Sequence, residues 1–110
     1  MKGAKLILEE QLQWASVDGF QKAISKQLVG NNETSGFSVF IEQIETEGRV
    51  PVHAHEEESF YYILEGEGMI SLCDKTFHGC LGCAVYVPSW FDHGITNSGS
   101  STLKYIEFKI

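Results

Sequence analysis

Basic residues are scarce in this sequence, which has eight Lys and Arg against fifteen Asp and Glu and a formal net charge of -7. Proteins that bind nucleic acid need clustered cations to neutralise phosphates, so this balance excludes that class of partner. The basic residues are also scattered along the chain, which argues against attachment to an anionic membrane surface. We therefore expect neither nucleic acid nor membrane among the partners.

Long apolar runs are absent, since none approaches the roughly 20 residues that a membrane-spanning helix needs. The first residues, MKGAKLILEE, turn acidic after a short apolar run, which is not typical of a secretory signal peptide. Cysteine is scarce and odd in number, at three, which favours a reducing compartment over a disulfide framework. The expected location is the cytoplasm.

Short β-rich segments are what the sequence does contain. Its 110 residues are enough for one domain with a single modest core. Runs of β-branched and aromatic residues are separated by Gly, Asn, Asp and Ser, which predicts an all-β sandwich or barrel. The predicted strands are 4–8, 22–28, 37–45, 50–55, 59–64, 68–73, 75–78, 84–87, 91–96 and 102–109. Residues 9–16 are expected to form a helical turn.

The stretch HAHEEESFYYILEGEG begins with two histidines that form a candidate metal site. His53 and His55 lie two residues apart, so on a strand both imidazoles project to the same side. Imidazole nitrogens bind an ion such as zinc at about 2.0–2.1 Å, so two neighbouring rings can converge on one metal. Further along, Ser59 and Tyr61 share one strand face, whereas Glu58 belongs to the opposite face.

Two blocks of the sequence resemble the two motifs of the cupin family. The first motif, G-x5-H-x-H-x3,4-E-x6-G, is matched over 48–66 with the first gap one residue short. The second, G-x5-P-x-G-x2-H-x3-N, is matched over 82–97 with Trp90 where a glycine is usual. The matching residues are Gly48, His53, His55, Gly66, Gly82, Pro88, His93 and Asn97. The resemblance implies a cupin-type jelly-roll β-barrel, with residues 1–110 as a single domain.

The resemblance also implies a metal site inside the barrel. Cupins of this kind hold an ion with two histidines and a glutamate from the first motif and one histidine from the second. Carried over by position, the ligands here are His53, His55 and His93. The glutamate position is occupied by Ser59, and a neutral hydroxyl is a poor ligand compared with a carboxylate.

Three interpretations of this departure stay open. In the first, the three histidines hold the ion alone, which resembles the iron sites of thiol dioxygenases, cupins that lack the glutamate. In the second, a bulge turns Glu58, or a longer loop swings Glu57, toward the metal; Ser59 and Glu58 are thus the candidates for a fourth position. Strand alternation favours the first, because Glu58 should face away from Tyr61. In the third, the histidines bind no metal and line a ligand pocket.

The predicted function is that of a small cupin with a divalent ion on three histidines. The ion could be Fe, Zn, Ni or Mn, and imidazole ligands also suit Cu. If the protein is an enzyme, we expect an Fe(II)-type dioxygenase acting on a small organic molecule, with Tyr61 as the candidate catalytic residue beside the metal. No other general base is evident unless the glutamates turn inward. The alternative is a non-catalytic barrel that binds or senses a sugar or an aromatic molecule.

A homodimer is predicted from the apolar strands. Both faces of 59–64 are apolar, so one face should meet the barrel interior and the other a second sheet or a second subunit. The apolar segments at 37–44 and near the N-terminus support the same expectation, and dimers are the commonest oligomers.

Overall fold

The computed structural model describes residues 3–110, more than half of which lie in β-strands. One turn of 3-10 helix, Glu9–Gln11, precedes the longer strands. The strands are β1 (Ala15–Ser16), β2 (Gln21–Val29), β3 (Ser38–His53), β4 (Ser59–Glu65), β5 (Glu67–Leu72), β6 (Lys75–Cys80), β7 (Ala84–Val87), β8 (His93–Thr96) and β9 (Leu103–Lys109). Within residues 3–110, helical segments are too short and too polar to cross a membrane. The predicted all-β class is confirmed.

All the strands belong to one antiparallel sheet with the order β6-β5-β8-β3-β9-β4-β7, and β2 and β1 continue from β3 on a branch. β3 has sixteen residues, so its first half pairs with β2 and β9 while its second half pairs with β8. A strand that exchanges neighbours along its length makes the sheet curl around one core. The jelly-roll barrel architecture expected from the two motifs is therefore confirmed.

Alternation along each strand separates the barrel interior from its outer face. On β4, Tyr61 and Ile63 are buried, whereas Phe60 and Tyr62 are 45% and 40% exposed. Successive side chains of a strand point to opposite sides of the sheet, so the first pair belongs to the core. The expected second sheet does not cover the outer face of this strand within residues 3–110, and burial of that face against a second subunit stays a prediction.

Three predictions about the elements differ from the structure. Residues 4–8 are not a strand and are largely exposed, because no strand of residues 3–110 pairs with them. The predicted strands 37–45 and 50–55 are one continuous strand, β3, which ends at His53, so His55 lies in the following loop and not on the strand as predicted. Pro51 is tolerated inside it because the pairing with β8 is irregular between Val50 and His53, where a missing N–H breaks no regular ladder. The helical turn expected over 9–16 is shorter than predicted.

Candidate metal centre

Two neighbouring strands bring the first and last of the three histidines together. His53 ends β3 and His93 begins β8, and the two are directly opposite each other in the antiparallel pair. Their ring centroids are 4.4 Å apart. His55 follows in the loop after β3, with its ring 5.3 Å from that of His53 and 4.8 Å from that of His93. One possible ligand nitrogen from each ring lies within 4.8 Å of the others.

Hydrogen bonds between the two motif loops fix the position of His55, which lies beyond the end of its strand. The backbone N–H of Trp90 donates to the carbonyl of His55 at 2.8 Å. The hydroxyl of Ser89 donates to the carbonyl of Glu56 at 2.5 Å. The second motif therefore contributes more than its histidine, because its loop also holds the first motif in place.

Each of the three histidines uses Nδ1 to donate a hydrogen bond to a backbone carbonyl. The bonds run from His53 to Pro51 at 2.8 Å, from His55 to Glu57 at 2.9 Å and from His93 to Phe91 at 2.8 Å. A carbonyl only accepts, so Nδ1 carries the hydrogen and Nε2 keeps its lone pair. Among residues 3–110, the buried Nε2 atoms of His55 and His93 have no hydrogen-bond partner. Metal-binding histidines have this arrangement, so the residues present fit a divalent ion.

His93 is uncharged at neutral pH. Its side chain is almost fully buried, with 2% exposure. Burial lowers the pKa of His93 to about 4, although its hydrogen bond to Phe91 acts in the opposite direction. Protons therefore do not compete for this imidazole near pH 7, and its lone pair is available to an ion.

Ser59, which stands in the glutamate position of the first motif, projects into the barrel and is almost completely buried. Its hydroxyl donates a hydrogen bond of 3.0 Å to Oε2 of Glu107 on β9. A carboxylate thus lies directly behind the serine, although it comes from a different strand. Among residues 3–110, the group able to hold a metal comprises the three histidines and does not include Glu107.

The glutamates of the first motif point elsewhere. Glu58 lies on the outer face, where its carboxylate accepts a hydrogen bond from the hydroxyl of Tyr86. That bond is the main reason why the pKa of Tyr86 is raised. The carboxylate of Glu57 lies 3.7 Å from Nδ1 of His55, on the side of the ring away from Nε2. Neither carboxylate belongs to the group of side chains that could hold a metal ion.

Tyr61 projects from β4 into the interior beside the histidines. Its ring centroid is 6.1 Å from that of His93 and 5.4 Å from that of Tyr105, which it meets edge-on. Burial, followed by the negative charges of Glu107 and Glu42, raises the pKa of Tyr61 well above its ordinary value. Tyr61 is therefore a neutral phenol that can donate a hydrogen bond within the cavity.

A cavity of about 370 Å³ adjoins the histidines. Its polar lining consists of Asp18, Ser25, Glu42, His53, His55, Tyr61, Tyr105, Glu107 and Lys109. The two glutamates of this lining are buried, at 5% exposure for Glu42 and 4% for Glu107. Neither glutamate is among the site residues predicted from the sequence. Alternation could have found Glu107, because it shares a strand face with Leu103 and Tyr105, whose apolar bulk belongs inside.

The comparisons with known proteins show the family. Residues 40–109 match the model of the cupin domain, so the chain belongs to the cupin family. It is 36% identical over 73 residues to an uncharacterised protein of Methanocaldococcus jannaschii, a match that covers 60% of this chain and 58% of that protein. The chain therefore spans less than two thirds of the length of this curated relative.

Solved structures share the fold at low sequence identity. The polyketide cyclase RemF of Streptomyces resistomycificus matches with a TM-score of 0.86 and 21% identity, over 97% of this chain and 79% of that chain. A predicted oxalate decarboxylase of Thermotoga maritima matches with a TM-score of 0.85 and 19% identity, over 96% and 98% of the two chains. The names of these two proteins indicate different activities, so the shared fold does not determine a function.

Proposed function

We propose that this cupin binds a divalent metal ion through His53, His55 and His93 and holds a small organic molecule in the adjoining cavity. The observation that carries the proposal is the pair of buried, unpartnered Nε2 atoms on His55 and His93. Each buried polar atom without a partner costs about 1–3 kcal/mol, which a bound ion would remove. The ion would supply Lewis acidity, and the neutral ligands and inward-facing Ser59 would leave part of its coordination sphere to the small molecule.

The enzymatic form of this proposal is an Fe(II)-type dioxygenase with Tyr61 as a catalytic residue. Three neutral imidazoles without a carboxylate support it, because they leave coordination positions open to dioxygen and substrate. Zn, Ni or Mn at the same histidines would provide Lewis acidity instead. Tyr61 supports the dioxygenase because its hydroxyl can donate a hydrogen bond close to His93. The non-catalytic alternative is a barrel that binds a sugar or an aromatic molecule without turnover.

Removing one histidine tests the metal site. We expect the His93→Ala variant to bind Fe(II) or Zn(II) at least about 100-fold more weakly than the wild type, because even residues that only orient a ligand contribute 10–100-fold. Elemental analysis of untagged protein gives the metal content, and circular dichroism shows whether the variant folds. The wild type should hold one ion per chain.

Glu58→Ala is the matched control, because Glu58 lies on the outer face and contacts Tyr86. It should retain its ion, and loss of metal in this variant would show that Glu58 is a ligand. A correctly folded wild type that takes up no divalent ion would refute the metal site altogether.

Oxygen uptake separates the two forms of the proposal. The Fe(II)-loaded protein is tested in an oxygen electrode against small thiols, sugars and aromatic compounds, with His93→Ala as the control. Uptake that requires His93 supports the dioxygenase. Binding of one of these compounds, seen by native mass spectrometry without oxygen uptake, supports the non-catalytic barrel.

We also propose that the protein is a cytoplasmic homodimer. The outer face of the sheet carries exposed Phe60, Tyr62 and Tyr86, at 45%, 40% and 56%. Phe60 is paired with Tyr86 on β7 and with Phe108 on β9, so the aromatic residues form one continuous surface. Apolar patches of this kind favour association with a second copy. Three free cysteines support a reducing compartment.

A further inference from the structure

Two buried carboxylates lie on one wall of the cavity. Glu42 on β3 is directly opposite Tyr105 on β9, and Glu107 lies two residues further along β9. This diagonal arrangement on one face of neighbouring strands places the two residues about 7–8 Å apart, with their Cβ atoms somewhat closer, which is within reach of long side chains. Both glutamates are more than nine-tenths buried and both line the cavity beside the histidines.

Neither carboxylate has an ion-pair partner in the part of the chain that the structure describes. The ion pairs formed by residues 3–110 involve other acidic residues. Lys109 lines the same cavity, but its Nζ lies 5.5 Å from the ring centroid of Phe40. Burial and the negative charge of Glu107 raise the pKa of Glu42, and the positive charge of Lys109, which lowers it, has a smaller effect. Two buried carboxylates in one cavity resist ionising together, which favours retention of one proton by the pair.

Hydroxyl groups satisfy the pair in place of cations. Ser59 donates to Glu107 at 3.0 Å. Burial, followed by the negative charge of Glu107, raises the pKa of Glu42 to about 7, while hydrogen bonding by Tyr105 and Ser25 acts in the opposite direction. A carboxyl group that titrates near neutral pH can both take up and release a proton under physiological conditions.

His93 does not line this cavity, but its ring packs against His53 and Tyr61, which do. Its Nε2 is buried without a hydrogen-bond partner among residues 3–110, and the residue is only 2% exposed. Because Nδ1 of this ring is bonded to Phe91, Nε2 is directed toward the other two histidines, which line the cavity. Tyr61 lines the cavity, with its ring centroid 6.1 Å from that of His93, and it is directly opposite Glu107 in the pairing of β4 with β9.

We propose that Glu42 and Glu107 share one proton and form the acid–base pair of the cavity, acting on a small oxo or hydroxy compound bound at the three histidines. The sharing of the proton depends on the cavity wall alone, whereas the action on a compound rests on the proposed function. This pair supplies the general base that the motif glutamates do not provide, and it extends the chemistry of the site to proton-transfer reactions.

The proposed step is balanced without an oxidant. The ionised carboxylate takes a proton from a C–H bond next to a carbonyl group of the compound, and the electron pair of that bond moves toward the carbonyl. The protonated partner returns its own proton to the compound at a second atom. The compound is isomerised, and the glutamate pair still holds one proton for the next cycle.

A carboxyl titration tests the shared proton in metal-free protein. In protein labelled with ¹³C at the glutamate carboxyl groups, the Glu42 signal should titrate at about pH 7. In Glu107→Gln its midpoint should fall by at least half a pH unit, because the neighbouring negative charge is gone. The transition should vanish in Glu42→Gln. Glu45→Gln, on the exposed face of the same strand, is the control. It should leave both the Glu42 transition and its midpoint unchanged.

Thermodynamic linkage gives a second measurement on the wild type. A raised carboxyl pKa means that the folded state binds the proton more tightly than the unfolded state between the ordinary glutamate pKa of 4.5 and about 7. The free energy of unfolding contributed by Glu42 is therefore present below that window and is lost as the pH rises through it. The other titratable groups that line the same cavity are Glu107, Lys109 and Tyr105 on β9, Tyr61 on β4, and His53, His55 and Asp18.

Urea unfolding at several pH values measures this slope, which should be flatter in Glu42→Gln than in the wild type. A Glu42 signal that titrates below about pH 5.5 in the wild type, or that does not respond to Glu107→Gln, would overturn the shared proton. These outcomes do not depend on metal, so they remain informative if the histidines bind no ion.

Deuterium exchange tests the action of the pair. Pyruvate is incubated in D₂O with zinc-loaded protein, and loss of its methyl protons is followed by NMR. We expect Glu42→Gln and Glu107→Gln to slow this exchange at least about tenfold while retaining one zinc ion per chain. Wild-type protein that holds zinc but exchanges no faster than free zinc would overturn the acid–base action. Failure of the protein to hold zinc would instead refute the proposed function.

Discussion

Trp90 adopts a backbone conformation that L residues rarely use, with φ at 62°. The second cupin motif usually has glycine at this position, and the left-handed turn gives the reason. A left-handed conformation costs a residue with a side chain about 1–2 kcal/mol. The indole recovers little of this, because 67% of the side chain is exposed. The turn persists because the N–H of Trp90 bonds to His55 and so supports the candidate metal centre.

Replacing Trp90 with glycine should therefore stabilise the protein. The backbone strain of about 1–2 kcal/mol is removed, while the unfolded-state entropy of glycine costs about 0.5–1 kcal/mol, so the expected net gain is up to about 1.5 kcal/mol. Urea unfolding measures it. Trp90→Ala removes the indole but keeps the strain, and it should show no gain. A less stable Trp90→Gly variant would mean that the exposed indole contributes more packing than its exposure indicates.

Gly66 joins β4 to β5, and the single-residue connection leaves no room for a side chain. Its φ is +79°, and a Cβ atom here would lie 2.4 Å from the carbonyl oxygen of Thr102. That oxygen belongs to the backbone just before β9, so it cannot move without displacing the strand that carries Glu107. This close approach explains why the first motif ends in glycine.

Gly66→Ala should lower the free energy of unfolding by about 2–5 kcal/mol, which combines backbone strain with a clash against fixed backbone. Gly82→Ala is a matched control, because Gly82 has φ +89° but nothing within 4 Å of the added Cβ. It should lose only about 1–2 kcal/mol from strain. Equal losses in the two variants, measured by urea unfolding, would show that the contact with Thr102 has no energetic role.

On the scale of the whole molecule, the outer aromatic face is an exposed apolar surface of the single chain. If two copies pack through this face, replacing both Phe60 and Tyr86 with serine should convert the dimer to a monomer. Size-exclusion chromatography with light scattering should give twice the chain mass for the wild type and the chain mass for the variant. Phe77→Ser, at an exposed aromatic residue on β6, is the control and should remain dimeric. A monomeric wild type would contradict the proposed dimer.

The sequence by itself determined the β class, the cupin motifs and the three histidines as candidates. These properties depend on local information, because strand alternation fixes which side a residue occupies and motif spacing identifies the loops. Ser59 belongs to the same group, since its inward direction follows from the position of Tyr61 on the same strand. The segment 4–8 shows the limit of such reasoning, because β propensity cannot supply a neighbouring strand.

Only the tertiary structure decided what surrounds the histidines. Glu42 and Glu107 come from strands that are distant in sequence and adjacent in the sheet, and no spacing rule connects them. The same pairing of β4 with β9 brings a carboxylate to the hydroxyl of Ser59. Strand order is set by non-local burial and hydrogen bonding, so a pattern in the sequence indicates the face on which a side chain lies but not the residues that it meets there.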